Sequence, residues 1–165
     1  MSMNMTIGFI LNGEDVEART SAEIRLDDIL RDTFSLLGTK AGCNTGNCGA
    51  CSVILNGDVV KACLIPAFRI RDSEIITIEG FSQTDEYQDI IRAFEEVGVE
   101  SCGFCDTGKI LAMEALLSRN PRPSQDEILA GFHGIRCRCT EPEALVRVVT
   151  ATVEYRRQRL YGRSS

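Results

Sequence analysis

Eight cysteines in 165 residues are the feature that most constrains this chain. They fall into two groups of four, one in each half of the sequence. The first group is Cys43, Cys48, Cys51 and Cys63, and the second is Cys102, Cys105, Cys137 and Cys139. Grouped thiols of this kind indicate two metal centres, because ligands of one centre must converge from short loops.

The composition and the N-terminus indicate where such a protein resides. No apolar run approaches the ~18–20 residues of a membrane span, and residues 1–11 lack the basic region and the long apolar core of a signal peptide. We therefore expect a cytoplasmic protein, in which clustered cysteines are metal ligands rather than disulfides. The net charge of −6 disfavours nucleic-acid binding, which normally requires a basic face.

The first half of the chain is predicted to be rich in strands. Two pairs of apolar segments are each joined by Asn-Gly, which favours a tight hairpin turn because both residues adopt positive φ. The paired segments are Thr6–Leu11 with Val16–Arg19, and Ser52–Leu55 with Val59–Ala62. Leu26–Leu37 has helical apolar spacing and ends before Gly38, a residue typical of a C-terminal cap. With a strand at Glu74–Ile78, these elements predict a small mixed sheet crossed by one helix.

The second half is predicted to be helical. Apolar periodicity indicates four helices, at Tyr87–Val97, Lys109–Ser118, Asp126–Phe132 and Glu143–Arg157. Ser124 and Thr140 each begin a sequence with the form of a capping box, in front of the last two helices. Because the pattern changes near residues 80–85, we expect an α+β chain with two domains, residues 1–82 and 83–165.

The first cysteine group lies mostly in one glycine-rich loop, from Gly42 to Cys51. Its C-x4-C-x2-C spacing is that of plant-type [2Fe–2S] ferredoxins, and Cys63 on the following hairpin completes a set of four. Glycines let the loop wrap closely around an anionic cluster and direct backbone N–H groups at its sulfurs. A four-cysteine zinc site is the alternative, although zinc ligands usually occur in short pairs such as C-x2-C.

The second cysteine group consists of two short motifs, Cys102–Cys105 and Cys137–Cys139, each in front of a predicted helix. Helix N-termini favour thiolates, because their unpaired N–H groups carry partial positive charge. Cys102 and Cys105 alone could form a redox dithiol of the thioredoxin type. That alternative requires a βαβ context and leaves the other two cysteines without a role.

Together these motifs resemble the small iron–sulfur subunit of the molybdenum hydroxylases, the xanthine dehydrogenase and aldehyde oxidoreductase family. The resemblance extends from Thr6 to about Arg157. It rests on the loop from Gly42 to Cys51, on Cys102-Gly103-Phe104-Cys105 and on Cys137-Arg138-Cys139-Thr140.

The resemblance implies a β-grasp ferredoxin domain followed by a four-helix-bundle domain, with one [2Fe–2S] cluster in each. It implies that Cys102, Cys105, Cys137 and Cys139 hold the inner cluster, nearest a molybdopterin cofactor in a large partner subunit. It implies that Cys43, Cys48, Cys51 and Cys63 hold the outer cluster, towards a medium subunit that binds FAD. Substrate would be hydroxylated at molybdenum, and single electrons would pass through both clusters to FAD, so this chain would contribute no catalytic residue.

Around the inner cluster the sequence departs from the family pattern. The family usually has Gln at Ser101, Thr-Pro or Ser-Pro at Asp106-Thr107, Asn at Ile135, and Gly-Tyr at Glu141-Pro142. We hypothesise an altered interface on the side that faces the cofactor. These departures keep open an electron-transfer subunit of a non-molybdenum, flavin-dependent oxidoreductase, and the cysteine count alone also allows a zinc-stabilised interaction protein.

Overall fold

The computed structural model describes residues 4–162, which form a mixed sheet followed by helices. This confirms the predicted α+β class. The five strands are β1 (Asn4–Leu11), β2 (Glu14–Ser21), β3 (Ser52–Leu55), β4 (Asp58–Lys61) and β5 (Glu74–Ile76).

Both predicted hairpins are present in the sheet. Strand β1 pairs with β2, and β3 pairs with β4, each pair antiparallel. Asn12-Gly13 and Asn56-Gly57 form the turns with φ of 52° and 85° in each case, as a turn of the primed type requires. The strand order is β2-β1-β5-β3-β4, so the late strand β5 joins the two hairpins and runs parallel to β1.

The helix predicted at Leu26–Leu37 is wrong over its last four residues, because the helical segment ends at Thr33. Helix α1 covers only Leu26–Asp28 and continues as a π-helical turn over Ile29–Thr33. Ser35 then adopts a left-handed conformation with φ of 56°, which ends the helical segment before Gly38. Gly38 is therefore not a helix cap. Its N–H donates to Glu79 Oε1 at 2.7 Å, and a β-carbon there would collide with the Ile78 side chain.

Two short 3-10 helices, Ala62–Leu64 and Ala67–Arg69, lie between β4 and β5, and the remaining α-helices follow the sheet in sequence. They are α2 (Ile78–Phe81), α3 (Asp85–Val97), α4 (Asp106–Arg119), α5 (Gln125–Phe132) and α6 (Pro142–Tyr161). Helix α6 packs on α3 and α5, and helix α4 packs on α5 and on β3. The sequence did not predict the short α2, and it placed the start of α4 one turn late, at Lys109.

The sheet separates two hydrophobic cores. The first lies among the strands and α1 and includes Ile7, Leu30 and Val53, whereas the second lies among the helices. Ile54 belongs to the second core, because successive residues of a strand face opposite sides of the sheet. One strand, β3, thus contacts both cores.

Two helix starts have side-chain caps that satisfy free backbone N–H groups. Thr84 Oγ1 accepts from the N–H of Tyr87 at the start of α3. Ser124 and Glu127 form the predicted capping box at the start of α5. The capping box predicted at Thr140 is wrong, since α6 begins at Pro142 with Glu141 as a cap that makes no side-chain bond.

Replacing Ser124 with alanine is expected to lower the free energy of unfolding by about 0.5–2 kcal/mol, because one N–H of α5 loses its acceptor. The urea unfolding midpoint of the purified chain measures this effect. Ser118→Ala is the matched control, since its hydroxyl is exposed and bonds only to Glu114. Equal shifts for the two variants would contradict the capping role.

Within residues 4–162, none of the helices is both long enough and apolar enough to cross a membrane.

Candidate metal centres

The loop that precedes β3 carries three of the first four cysteines, Cys43, Cys48 and Cys51. Asn44, Gly46 and Gly49 have positive φ values of 56°, 76° and 77°, so the backbone curls around the thiol of Cys43. A β-carbon at Gly46 would collide with Leu64. These positions explain why the loop requires glycine and asparagine.

The β3–β4 hairpin places Cys51 beside Cys63. Ser52 is paired with Lys61 in the register, and the N–H of Ala62 donates to the carbonyl of Cys51 at 3.1 Å. Cys51 comes just before Ser52 on one strand, and Cys63 comes two residues after Lys61 on the other. The two thiols therefore come into hydrogen-bonding contact. Both are buried.

Backbone N–H groups converge on Cys43. Its Sγ accepts from the N–H groups of Thr45, Asn47 and Cys48 at 3.4, 3.2 and 3.3 Å. Hydrogen bonds from the Thr45 hydroxyl and from the amides of Thr45 and Cys48 lower the pKa of Cys43 to about 6. A thiol held in this way is an anion at neutral pH, which is the form that binds metal.

Burial has the opposite effect on Cys51, whose pKa it raises to about 12. A buried thiol of this kind loses its proton when a metal ion replaces it. The first set therefore combines one cysteine that is already a thiolate with a buried cysteine that would lose its proton when iron binds.

The second set is formed where α4 and α6 begin. Cys105 lies immediately before α4, and Cys137 and Cys139 lie in the turn that leads into α6. Cys139 N–H donates to Cys137 Sγ at 3.4 Å. Cys105 contacts Cys137, and Cys102 contacts Cys139. All eight cysteines predicted as ligands thus lie in two groups, and none is in a disulfide.

The thiol pKa values in the second set also differ. Burial raises the pKa of Cys105 to about 12. Burial also acts on Cys137, but donors that include the N–H of Cys139 and the Cys105 thiol outweigh it and lower its pKa to about 7. As in the first set, one thiol is ready to bind and another is protonated until metal arrives.

The thiols occur as four pairs: Cys43 with Cys48, Cys51 with Cys63, Cys105 with Cys137, and Cys102 with Cys139. Across residues 4–162, no three His, Cys, Asp or Glu side chains converge closely enough to hold one metal ion. A binuclear cluster needs two ligands on each of two irons, whereas structural zinc needs four around one ion. Four thiols in two contacting pairs per set match the number of ligands that a [2Fe–2S] cluster requires.

The two sets meet at their loops. The N–H of Arg136, next to Cys137, donates to the carbonyl of Cys48 at 2.9 Å. Around this bond two segments of the backbone lie very close together. A β-carbon at Gly49 or at Gly108 would collide with the backbone of the facing segment. The backbone of Cys48, in the first set, is therefore one hydrogen bond away from Arg136, the residue adjacent to Cys137 of the second set.

Two lysines that the sequence did not predict as part of the site lie beside the thiols. Lys61 Nζ donates to Ser52 Oγ at 3.2 Å. Burial lowers the pKa of Lys61, whereas the charges of all four thiols of the first set act to raise it. Lys109 is fully buried beside Cys137. The signal for Lys109 was available, since its spacing from Met113 and Leu117 puts it on the apolar face of α4.

Two family comparisons match nearly the whole chain between them. Residues 15–98 match the family described as 2Fe-2S iron-sulfur cluster binding domain. Residues 77–150 match the family described as [2Fe-2S] binding domain. Each match contains all four cysteines of one set.

Individual proteins agree with these families. The chain is 43% identical to the nicotinate dehydrogenase small FeS subunit of Eubacterium barkeri, over 82% of this chain and 87% of that protein. It is 39% identical to a probable xanthine dehydrogenase subunit of Bacillus subtilis, over 83% and 79%. In structure it resembles a chain of quinoline 2-oxidoreductase from Pseudomonas putida 86, with a TM-score of 0.85, 33% identity, and coverage of 93% and 97%.

Proposed function

This chain belongs to the molybdenum hydroxylase family as a small [2Fe–2S] iron–sulfur subunit, and on that premise we propose a specific use for each of its cysteines. Cys43, Cys48, Cys51 and Cys63 hold the outer cluster. Cys102, Cys105, Cys137 and Cys139 hold the inner cluster. The four thiol pairs and the N–H groups directed at Cys43 and Cys137 support this assignment.

The chain is an electron-transfer component of an oxidoreductase complex and not its catalytic subunit. Its own cofactors are [2Fe–2S] clusters, each of which supplies one-electron chemistry when bound. The residues of the chain hold the ligands in place, surround the sulfurs with N–H donors and exclude water from Cys51, Cys63 and Cys105.

Two domains underlie this assignment. Residues 1–82 form the β-grasp ferredoxin domain and residues 83–165 the four-helix bundle, although the first and last three residues lie outside the described part. The two hydrophobic cores support the division. Strand β3, which contributes to both cores, keeps the domains in fixed contact.

The bond between Arg136 N–H and the Cys48 carbonyl is the observation that carries the relay function. It connects the two ligand sets through one hydrogen bond and a few covalent bonds. Electrons enter at the inner set and leave from the outer set along this contact.

The partners follow from the same assignment. Cys102 and Cys139 are exposed, and Cys139 lines a cleft together with Glu100, Glu141 and Arg147. This edge faces the large molybdopterin-binding subunit, and the outer set faces the FAD-binding medium subunit. The complex hydroxylates an N-heterocycle, a purine or an aldehyde in the large subunit. It resides in the cytoplasm, where reducing conditions keep thiols available for iron.

Metal, pterin and flavin analysis of the intact complex, purified from its host through a tag on this chain, tests the function. We expect molybdenum, a pterin and FAD to copurify with the iron. Iron and flavin without molybdenum would replace the proposal with the flavin-dependent oxidoreductase. A colourless chain that contains zinc would replace it with a zinc-stabilised interaction protein.

A further inference from the structure

Lys109 is a lysine with no exposed surface, in the first turn of α4. Removing an ammonium group from water is costly unless other groups compensate it. A helix position on an apolar face is ordinarily filled by a residue such as leucine or methionine. The presence of lysine here therefore requires an explanation from its surroundings.

The surroundings of Lys109 form one polar network. Its Nζ lies 2.8 Å from Asp106 Oδ1 and 2.9 Å from Thr140 Oγ1, to which it donates. It also lies 3.9 Å from Cys137 Sγ. Asp106 in turn accepts from the Ser101 hydroxyl at 2.6 Å.

The network accounts for two of the unusual positions around the second set. Ser101 and Asp106 replace residues of different chemistry in the family pattern. Asp106 pairs directly with Lys109, and Ser101 is connected to Lys109 through Asp106. Burial disfavours the charge on Lys109, but the Asp106 carboxylate oxygen lies 2.8 Å from its Nζ and compensates that charge. Lys109 therefore keeps its positive charge at neutral pH.

We propose that Lys109 is a positioning residue that fixes Cys137 and stabilises the reduced state of the inner cluster with its buried positive charge, while Asp106 opposes this effect. The inference rests on the proposed function. Reduction transfers one electron to the cluster, converts one ferric ion to ferrous and breaks no bond, so it adds one negative charge near Cys137. The electron comes from the large subunit in the complex, or from dithionite in the experiment.

The positions of the two charges decide which one dominates. Lys109 is completely buried, and its Nζ is directed at the ligand sulfur. The Asp106 side chain is 24% exposed, so water screens part of its charge. The net effect is a higher reduction potential than an apolar residue at position 109 would give, since cluster potentials follow local charge and hydrogen bonds to sulfur.

Redox titration of the intact complex, with both cluster EPR signals followed during dithionite reduction, tests the inference. Lys109→Met is expected to make reduction of the inner cluster about tenfold less favourable or more, which is about 59 mV for a one-electron couple. Asp106→Asn is expected to shift the same signal in the opposite direction, and the double variant should lie between. The outer signal should not move in any of them.

Arg157→Met is the matched control. It also removes one positive charge, but from an exposed residue 15 positions after the start of α6, about 22 Å along the helix axis. Neither potential should change in this variant.

Opposite signs distinguish a charge effect from structural loosening, because loosening would shift Lys109→Met and Asp106→Asn in the same direction. Shifts of the same sign, or no shift, would overturn the inference. If Lys109→Met does not assemble its inner cluster, Asp106→Asn alone decides by the sign of its shift. A wild-type complex that lacks two iron signals would instead contradict the proposed function.

Discussion

Replacing Cys105 with alanine is expected to remove one of two EPR signals of the reduced complex and about half of its iron, since each [2Fe–2S] cluster holds two irons. Cys63→Ala should remove the other signal and leave the first. The reason is that the two cysteines belong to different thiol pairs in different sets. Either loss should reduce electron delivery to the terminal acceptor to background.

Iron analysis and EPR of the purified variants measure this prediction, and circular dichroism confirms that each variant is folded. The two variants control for each other, because both remove one buried thiol. A folded variant that loses both signals, or that loses neither, would contradict the division of the cysteines into two sets.

Replacing Gly108 with alanine is expected to destabilise the chain by about 1–3 kcal/mol, the usual cost of overpacking a closed contact. The new methyl group would meet the carbonyl oxygen of Gly49, which is backbone and cannot rotate away. The contact between the ligand loops must open to accommodate it, so electron transfer between the clusters should slow. During turnover, the inner cluster should then accumulate in the reduced state relative to the outer one.

Gly131→Ala is the matched control for this variant. Gly131 also lies in a helix, but a β-carbon there makes only an ordinary contact with Leu116 at 3.5 Å. Alanine at such a site stabilises a helix by about 0.5–1 kcal/mol. Urea unfolding and freeze-quenched EPR compare the two variants. Equal stability and equal EPR populations in both would contradict the role assigned to the loop contact.

The sequence predicted best where a local rule has no competitor. Asn12-Gly13 and Asn56-Gly57 specify their hairpins because few other residues accept positive φ at both positions. The Ser124 capping box is likewise complete within four residues. These features need no information from distant parts of the chain.

The sequence predicted worst where a contact with a distant part of the chain overrides a local preference. Gly38 resembles a helix cap but is required for close approach to Ile78. Thr140 resembles the cap of α6, yet its hydroxyl accepts from Lys109 instead. Both errors come from tertiary contacts that no window of the sequence contains.

The same limit applies to the metal centres. Cysteine spacing grouped the eight thiols into two sets of four, because loop ligands are close in sequence. It did not indicate which thiols pair within a set, because pairing depends on the conformation of the folded loops. Nor did it indicate that Arg136 bonds to Cys48, since this contact joins segments far apart in the chain. The charge of Lys109 was visible in the sequence, but its neighbours were not.

The central claim is that this chain holds two [2Fe–2S] clusters that carry single electrons. The most direct measurement combines iron content with EPR of the dithionite-reduced complex. We predict about four irons per copy of this chain, two for each cluster, and two distinct signals that disappear on reoxidation. Fewer irons, zinc in their place, or centres that do not return to the oxidised state would contradict the account.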